Sequence, residues 1–444
     1  MSARAIGLFG ILTAWALTGC GQATPAATPS VLPATSVLLP TAISIPPTQT
    51  LLPQPTEPRA PLLSDDFADT AYAIPLILRH VTPTSAVLFF ELEHASPSIL
   101  LYWLDGEELQ RASWQAIPAS EERQQVVLEG LAPRAAYKAA LGLPEGDKYR
   151  RPSFLGEAWD PISFETPEEN PFPLRVGVIG DSGFGDGVTA RLVEQMAAAD
   201  LDLVVHTGDL VYKVGENADP REAFALKLFR PFSPVLRQSP FYPVPGNHEF
   251  ESVTSWEGRP YYDWAFPPLR ASGEGGLEEE AARRHYAFTY GSLQFLMLDS
   301  QAFYGSGGRE EQNQWLAERV ADERFFASIP VFHIPPFNSG RHITDGAPIA
   351  GTWVPLFAQP QVPLVLSGHD HNYQRHELDG ITYVVSGGGS SVIYPAGTLL
   401  ESTRAFSATP HYVVLEIGET DIRITAISDE GLVLDDAQIS LSAR

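Results

Sequence analysis

Three of the eleven histidines, His369, His371 and His376, fall close together in SGHDHNYQRHEL, directly after the apolar run QVPLVL. A single histidine beside an apolar strand is more often a hydrogen-bonded bystander than a ligand. The question turns on whether other metal-capable residues occur in matching contexts, and they do. GDSG (Gly180–Gly183), GDLVY (Gly208–Tyr212), GNHE (Gly246–Glu249), VFHIPPF (Val331–Phe337) and GHDH (Gly368–His371) each place carboxylate, amide, phenol or imidazole groups where an apolar run ends. One GD or GNH alone also reads as a turn. Five in series point to a common centre, because strand ends converge on one crevice in open α/β sheets. Glycine before the first such residue in four of the five lets the chain turn sharply out of the strand.

The order of these segments resembles the calcineurin-like metallophosphoesterases and, within them, the purple acid phosphatases, whose pattern is GDxG, GDxxY, GNH(D/E), VxxH, GHxH. The fourth segment departs from it, with one residue rather than two between Val331 and His333. The resemblance spans Arg175 to about Arg375. It implies that Asp181, Tyr212 and His371 hold one metal ion, that Asn247, His333 and His369 hold a second, and that Asp209 bridges the two.

The chemistry of these donors agrees with that division. Two carboxylates, a phenolate and one imidazole make a hard, anionic site suited to Fe(III). Two imidazoles, an amide oxygen and the shared carboxylate suit divalent Zn, Mn or Fe. Only a strongly Lewis-acidic ion holds Tyr212 as phenolate at neutral pH. Gly183 occupies the position where many diesterase members carry a histidine ligand, which favours phosphomonoesters, although the same scaffold accepts diesters. The resemblance places His248 beside Asn247 rather than on a metal. Two readings stand for it, proton donor to the leaving oxygen or hydrogen-bond partner of a ligand carboxylate. Relatives carry a histidine pair after the fourth segment; here His342 is followed by Ile343. Asp370, between two ligands, is expected to point away, and His80, His94, His285, His376 and His411 read as structural. His206 stands between a structural and a supporting role, and Arg375 between a phosphate contact and a salt bridge.

These segments need elements to hold them. After Asn170, buried-strand runs such as LRVGVIGD and LDLVVHTGD alternate with helix-like VTARLVEQMAAAD and EEQNQWLAERVADE, and the chain ends in antiparallel runs, an α/β pattern. From Ser64 to Pro167 six runs, IPLILRH, SAVLFFELE, SILLYWLD, QQVVLEGL, AAYKAALGL and ISFETP, alternate as short strands of a sandwich do. Leu131-Ala132-Pro133 with Tyr137 resembles the tyrosine corner of fibronectin type III domains.

The first residues, MSARAIGLFGILTAWALTGC, resemble a bacterial lipoprotein signal in which Leu17 to Cys20 form the lipobox. The competing reading is a plain secretory signal or anchor. Cys20 is the only cysteine in the chain, so no intramolecular disulfide forms. Residues 21–63 are rich in Pro, Thr, Ala and Ser, a composition that favours an extended tether. The formal charge of −25 opposes nucleic acid duplexes and anionic lipid surfaces and points to small anionic partners met through a local positive centre.

The sequence-based expectation is a lipoprotein signal (1–20), a linker (21–63), an all-β fibronectin III-like sandwich (64–167) and a four-layer αββα metallophosphoesterase sandwich (172–444). The expected function is hydrolysis of small phosphomonoesters by a metal-activated hydroxide, outside a bacterial membrane to which Cys20 anchors the chain, with His248 and His342 as candidate proton donors. Phosphodiester or nucleotide hydrolysis is the alternative, and a non-catalytic surface-binding lipoprotein is a third. The sequence carries no sign of oligomeric state.

Overall fold

The computed structural model describes residues 60–119, 122–146, 148–214, 219–250, 259–268, 277–278, 285–305 and 307–441. The signal-like start, Cys20 and the Pro/Thr-rich segment lie outside the described residues. The chain divides between Glu57 and Pro58, and every described residue belongs to the second unit.

All six alternating runs of the first region are strands. Tyr72–Val81, Ser85–Leu92 and Arg123–Glu129 make a three-stranded antiparallel sheet. Ser98–Leu104 and Ile162–Glu165 both pair with Ala136–Glu145 in a second sheet. That sheet also holds Leu63–Phe67, Ser113–Ile117 and Lys148–Arg151, which the sequence pattern did not single out. These three are mostly exposed or half-buried, so little apolar alternation marks them. The Tyr137 hydroxyl accepts a hydrogen bond from the Ala132 amide at 2.9 Å, closing the bend that Leu131 and Pro133 flank.

The second region is built on two facing sheets. Leu174–Ile179 lies between parallel Leu203–His206 and antiparallel His411–Ile417, with Phe241–Pro243 and two C-terminal strands completing six. The other sheet has eight strands, including Leu293–Met297, Ala327–Val331, Leu364–Ser367 and Ile381–Ser386, which run parallel to one another. Val176, Val178 and Leu415 of the first sheet share one buried cluster with Phe295, Ile329 and Leu366 of the second. Strands covered on both faces need continuous apolar runs, and LRVGVI and PLVL supply them. Helix Gly187–Ala197, capped by the Asp186 carboxylate on the Val188 and Thr189 amides, packs Leu192, Val193 and Met196 on the outer face of the first sheet. Helix Arg309–Val320 and the turns at Ala347–Phe357 pack Leu316, Val320, Trp353 and Phe357 outside the second. The result is helix, sheet, sheet, helix: the α/β character follows the sequence pattern, and the four layers follow what the family resemblance implied.

The two regions share a core. Phe154 and Trp159 of the first join Phe229 and Phe266 of the second in one cluster. His80, expected to be structural, contacts the Tyr242 hydroxyl across this boundary at 2.6 Å, and the Ser163 amide donates to the Arg237 carbonyl at 2.7 Å.

Buried Asp160 accepts from the Tyr72 hydroxyl at 2.7 Å and the Leu141 amide at 3.0 Å, and burial nonetheless lifts its carboxyl to about 6. An unfolded aspartate titrates near 3.9, so between these values the folded chain holds the extra proton. The stability this group contributes is therefore complete below about pH 4 and is lost as pH rises through 6. Asp160→Asn is expected to flatten the decline in stability over that window by on the order of 3 kcal/mol. Denaturation midpoints of both proteins across the window test this, and parallel curves refute it.

Candidate metal centre

The five segments meet at the ends of the central strands. Asp181, Asp209 and His371 are buried, and one donor atom from each lies within 4.8 Å of the others. The Tyr212 hydroxyl is 2.9 Å from His371 Nε2 and 3.4 Å from Asp181 Oδ1. His333 Nε2 is 3.3 Å from Asp209 Oδ1, 3.1 Å from Asn247 Oδ1 and 3.3 Å from His369 Nδ1. The structure thus brings together all seven expected ligand residues, with Asp209 between the Asp181/Tyr212/His371 side and the Asn247/His333/His369 side.

Backbone carbonyls aim two of the imidazoles. His333 Nδ1 meets the Thr207 carbonyl and His371 Nδ1 meets the Val392 carbonyl, each at 2.9 Å, so Nε2 of each ring faces inward. His369 is turned the other way: Nδ1 faces His333, and Nε2 meets Asp345 Oδ2 at 3.0 Å.

The glycines serve a purpose other than the one their positions suggest. Positive φ falls mainly on the residues after them, with Asp181 at 57°, Asp209 at 55° and His369 at 70°. A Cβ on Gly246 would lie 2.1 Å from Asp209 Oδ1, and one on Gly368 would lie 2.6 Å from Asp181 Oδ2. Glycine is required because the loops close on one another, while the strained conformation sits on the ligand-type residues themselves. A Cβ on Gly183 would lie 2.6 Å from the Tyr212 amide nitrogen, so the tyrosine's backbone fills the space a side chain there would need.

Glu249, which the sequence analysis left without a role, ties two of the loops together. Its Oε2 accepts from the Asp209 amide at 3.0 Å and the Gly246 amide at 2.7 Å, and its Oε1 accepts from the Val211 amide at 3.0 Å. Burial and the Asp209 charge lift its carboxyl to about 7, against the pull of those donors. The signal was present in GNHE, but it pointed only to ligand chemistry.

His248 stands half-buried beside the cluster, its ring edge-on to Tyr212 at 4.5 Å and its Nε2 3.9 Å from Asp209 Oδ2. His342 sits on the far side, its ring 4.5 Å from that of His369 and its Nδ1 3.2 Å from Asp345 Oδ2. Asp345 therefore links a candidate proton donor to a ligand-type histidine. Three-residue spacing from His342 was its only trace in the sequence. Asp370 does point away, accepting the Arg341 and His342 amides at 2.7 and 3.1 Å and so holding their loop. His206 bridges Ser182 Oγ and the Gly208 amide behind the cluster, and burial keeps it neutral, with a pKa down to about 3. Arg375 does not reach the centre: Asp435 holds it at 2.7 Å. Residues 215–218 and 251–258 lie outside the described residues.

The donor set fits cations. Burial pushes the Asp181 carboxyl and the Tyr212 phenol well above their usual ranges, and the Asp209 charge raises both further. Buried oxygen acids opposed in this way ionise readily only beside a strong positive charge.

Replacing Glu249 with Ala leaves three buried amides without an acceptor, at roughly 1–3 kcal/mol each. Glu249→Ala is expected to lower the thermal midpoint and weaken metal uptake, with Glu249→Gln intermediate. An unchanged midpoint in Glu249→Ala refutes the clamp.

Residues 174–373 match the family model for calcineurin-like phosphoesterases. Purple acid phosphatase 21 of Arabidopsis thaliana is 26% identical over 49% of this chain and 48% of its own length. An uncharacterized protein of Mycobacterium tuberculosis is 31% identical over 40% of this chain and 35% of its own. The chain spans about half the length of the first of these curated relatives and less of the second. Among solved structures, the purple acid phosphatase PPD1 from yellow lupin (Lupinus luteus) superposes with a TM-score of 0.64 at 15% identity, over 82% of this chain and 74% of that one. PhoD superposes at 0.59 and 16% identity, over 86% and 94%. At these identities the superpositions establish a shared mixed α/β metallophosphoesterase fold.

Proposed function

We propose that this chain is an exported binuclear-metal phosphatase that hydrolyses small phosphomonoesters, held to the outer side of a bacterial membrane through Cys20 and the linker. The observation that carries the reaction is the convergence of Asp181, Asp209, Tyr212, Asn247, His333, His369 and His371 on one crevice at the strand ends. Export and anchoring rest on the sequence of residues 1–20. Among the described residues no helix is long and apolar enough to cross a membrane. The region 64–167 reads as a fibronectin III-like domain, supported by the Tyr137–Ala132 bond, and 172–444 as the catalytic domain.

Asp181, Asp209, Tyr212 and His371 would hold Fe(III), and Asp209, Asn247, His333 and His369 would hold Zn, Mn or Fe(II). When bound, the pair supplies charge neutralisation for phosphate oxygens and acidifies water. The chain's own residues do the rest. Thr207 and Val392 fix the tautomers that present Nε2 of His333 and His371. His248 stands beside Asp209, at 3.9 Å, and His342 beside Asp345, at 3.2 Å. Either position suits delivery of a proton to a leaving alkoxide. His342 is tied to Asp345, which also contacts His369.

Metal-loaded protein is expected to release p-nitrophenol from p-nitrophenyl phosphate faster than from bis(p-nitrophenyl) phosphate. Faster diester cleavage overturns the monoester assignment, and inactivity on both with metals bound overturns the enzyme. The Fe-loaded protein is expected to be pink to purple and Tyr212→Phe to bleach it. A colourless protein with zinc in both sites refutes the iron assignment. Asn247→Ala is expected to lose the divalent ion by elemental analysis and at least about 100-fold in turnover, as expected when a transition-state contact is removed.

A further inference from the structure

One charged group at the rim is absent from the chemistry above. Arg341 immediately precedes His342, is exposed, and carries its guanidinium 4.8 Å above the Tyr394 ring. The same ring stacks on His371, with centroids 4.3 Å apart and planes at 9°. The Tyr394 amide donates to the His371 carbonyl at 2.8 Å, and the Arg341 amide donates to Asp370 Oδ2 at 2.7 Å. The arginine is thus anchored to the metal-centre segment at both its backbone and its side chain.

Its charge has not been spent within the protein. Among the described residues no carboxylate forms an ion pair with the Arg341 guanidinium, in a chain of net charge −25. Asp370, which the Arg341 amide reaches, accepts backbone amides. The guanidinium also hydrogen-bonds the Tyr394 side chain, and its five N–H donors leave others for an acceptor such as phosphate. The Tyr394 ring contacts both Arg341 and His371, which puts the guanidinium beside the cluster rather than among its ligand-type residues. It lies beside His342, where the leaving group departs.

We infer that Arg341, seated on Tyr394, recognises a second phosphate carried by the leaving group, so that the preferred substrates are phosphomonoesters or anhydrides bearing a further phosphate. This rests on the phosphatase reading above and narrows its substrate class.

ADP and AMP test it, because they share base and sugar and differ by one phosphate. Metal-loaded wild-type protein is expected to show a kcat/KM for ADP at least about tenfold above that for AMP, the size of one charge-assisted contact. Arg341→Ala is expected to lower kcat/KM on ADP about tenfold more than on p-nitrophenyl phosphate, mainly through KM, with Arg341→Lys recovering part of the loss. Equal losses on both substrates, or no wild-type preference for ADP, overturn the inference. Calorimetric binding of ADP and AMP is read whether or not either is hydrolysed. If the wild type hydrolyses neither nucleotide nor p-nitrophenyl phosphate, the phosphatase reading fails, and the Arg341 inference then stands only if Arg341→Ala selectively weakens ADP binding.

Discussion

The centre depends on a buried carboxylate that is not among its expected ligands. Glu249 gathers the amides of Asp209, Val211 and Gly246, and so fixes the distance between the loop carrying the shared aspartate and the loop carrying Asn247 and His248. Buried backbone donors must find acceptors. With its two oxygens taking three of them, two loops with positive-φ and glycine positions behave as one rigid piece. The close approach of Gly246 to Asp209 Oδ1 is affordable only in that arrangement.

Around this clamp the same logic repeats at lower cost. Thr207 and Val392 carbonyls orient imidazoles, His206 links the first two loops from behind, and Asp370 anchors the loop of Arg341 and His342. The charged and strained residues are thereby held by groups in the loops that leave the central strands, Thr207 directly after Leu203–His206 and Asp370 shortly after Leu364–Ser367. The result is a set of side chains aimed before any cation or substrate arrives.

The all-β region contributes by packing rather than by chemistry. Its Phe154 and Trp159 enter the core against which Phe229 and Phe266 pack, and His80 and Ser163 add polar ties across the boundary. Trp264, on the helix that follows the GNHE loop and its undescribed continuation, donates to Glu91 of the first region at 2.9 Å. The first region therefore supports the peripheral elements of the centre without supplying a ligand.

Residue type and order alone determined the five polar-tipped segments, the α/β grammar and the six principal strands, because each is a local property: an apolar run, a period, a polar tip. The choice of seven ligands within those segments is what the family resemblance implies. Three short strands, two of them at the sheet's edges, escaped because they bury too little to show alternation. Asp345, Tyr394 and Arg341 escaped because isolated aspartate, tyrosine and arginine carry no spacing signal, and their contacts join segments distant in the chain. Glu249 was visible as a residue but not as a clamp, since an acceptor's role depends on which amides the fold presents to it. Only the tertiary structure decided which carboxylates would be solvated, which paired, and which aimed at a common point, because those outcomes are set by distances between loops that sequence separation does not encode.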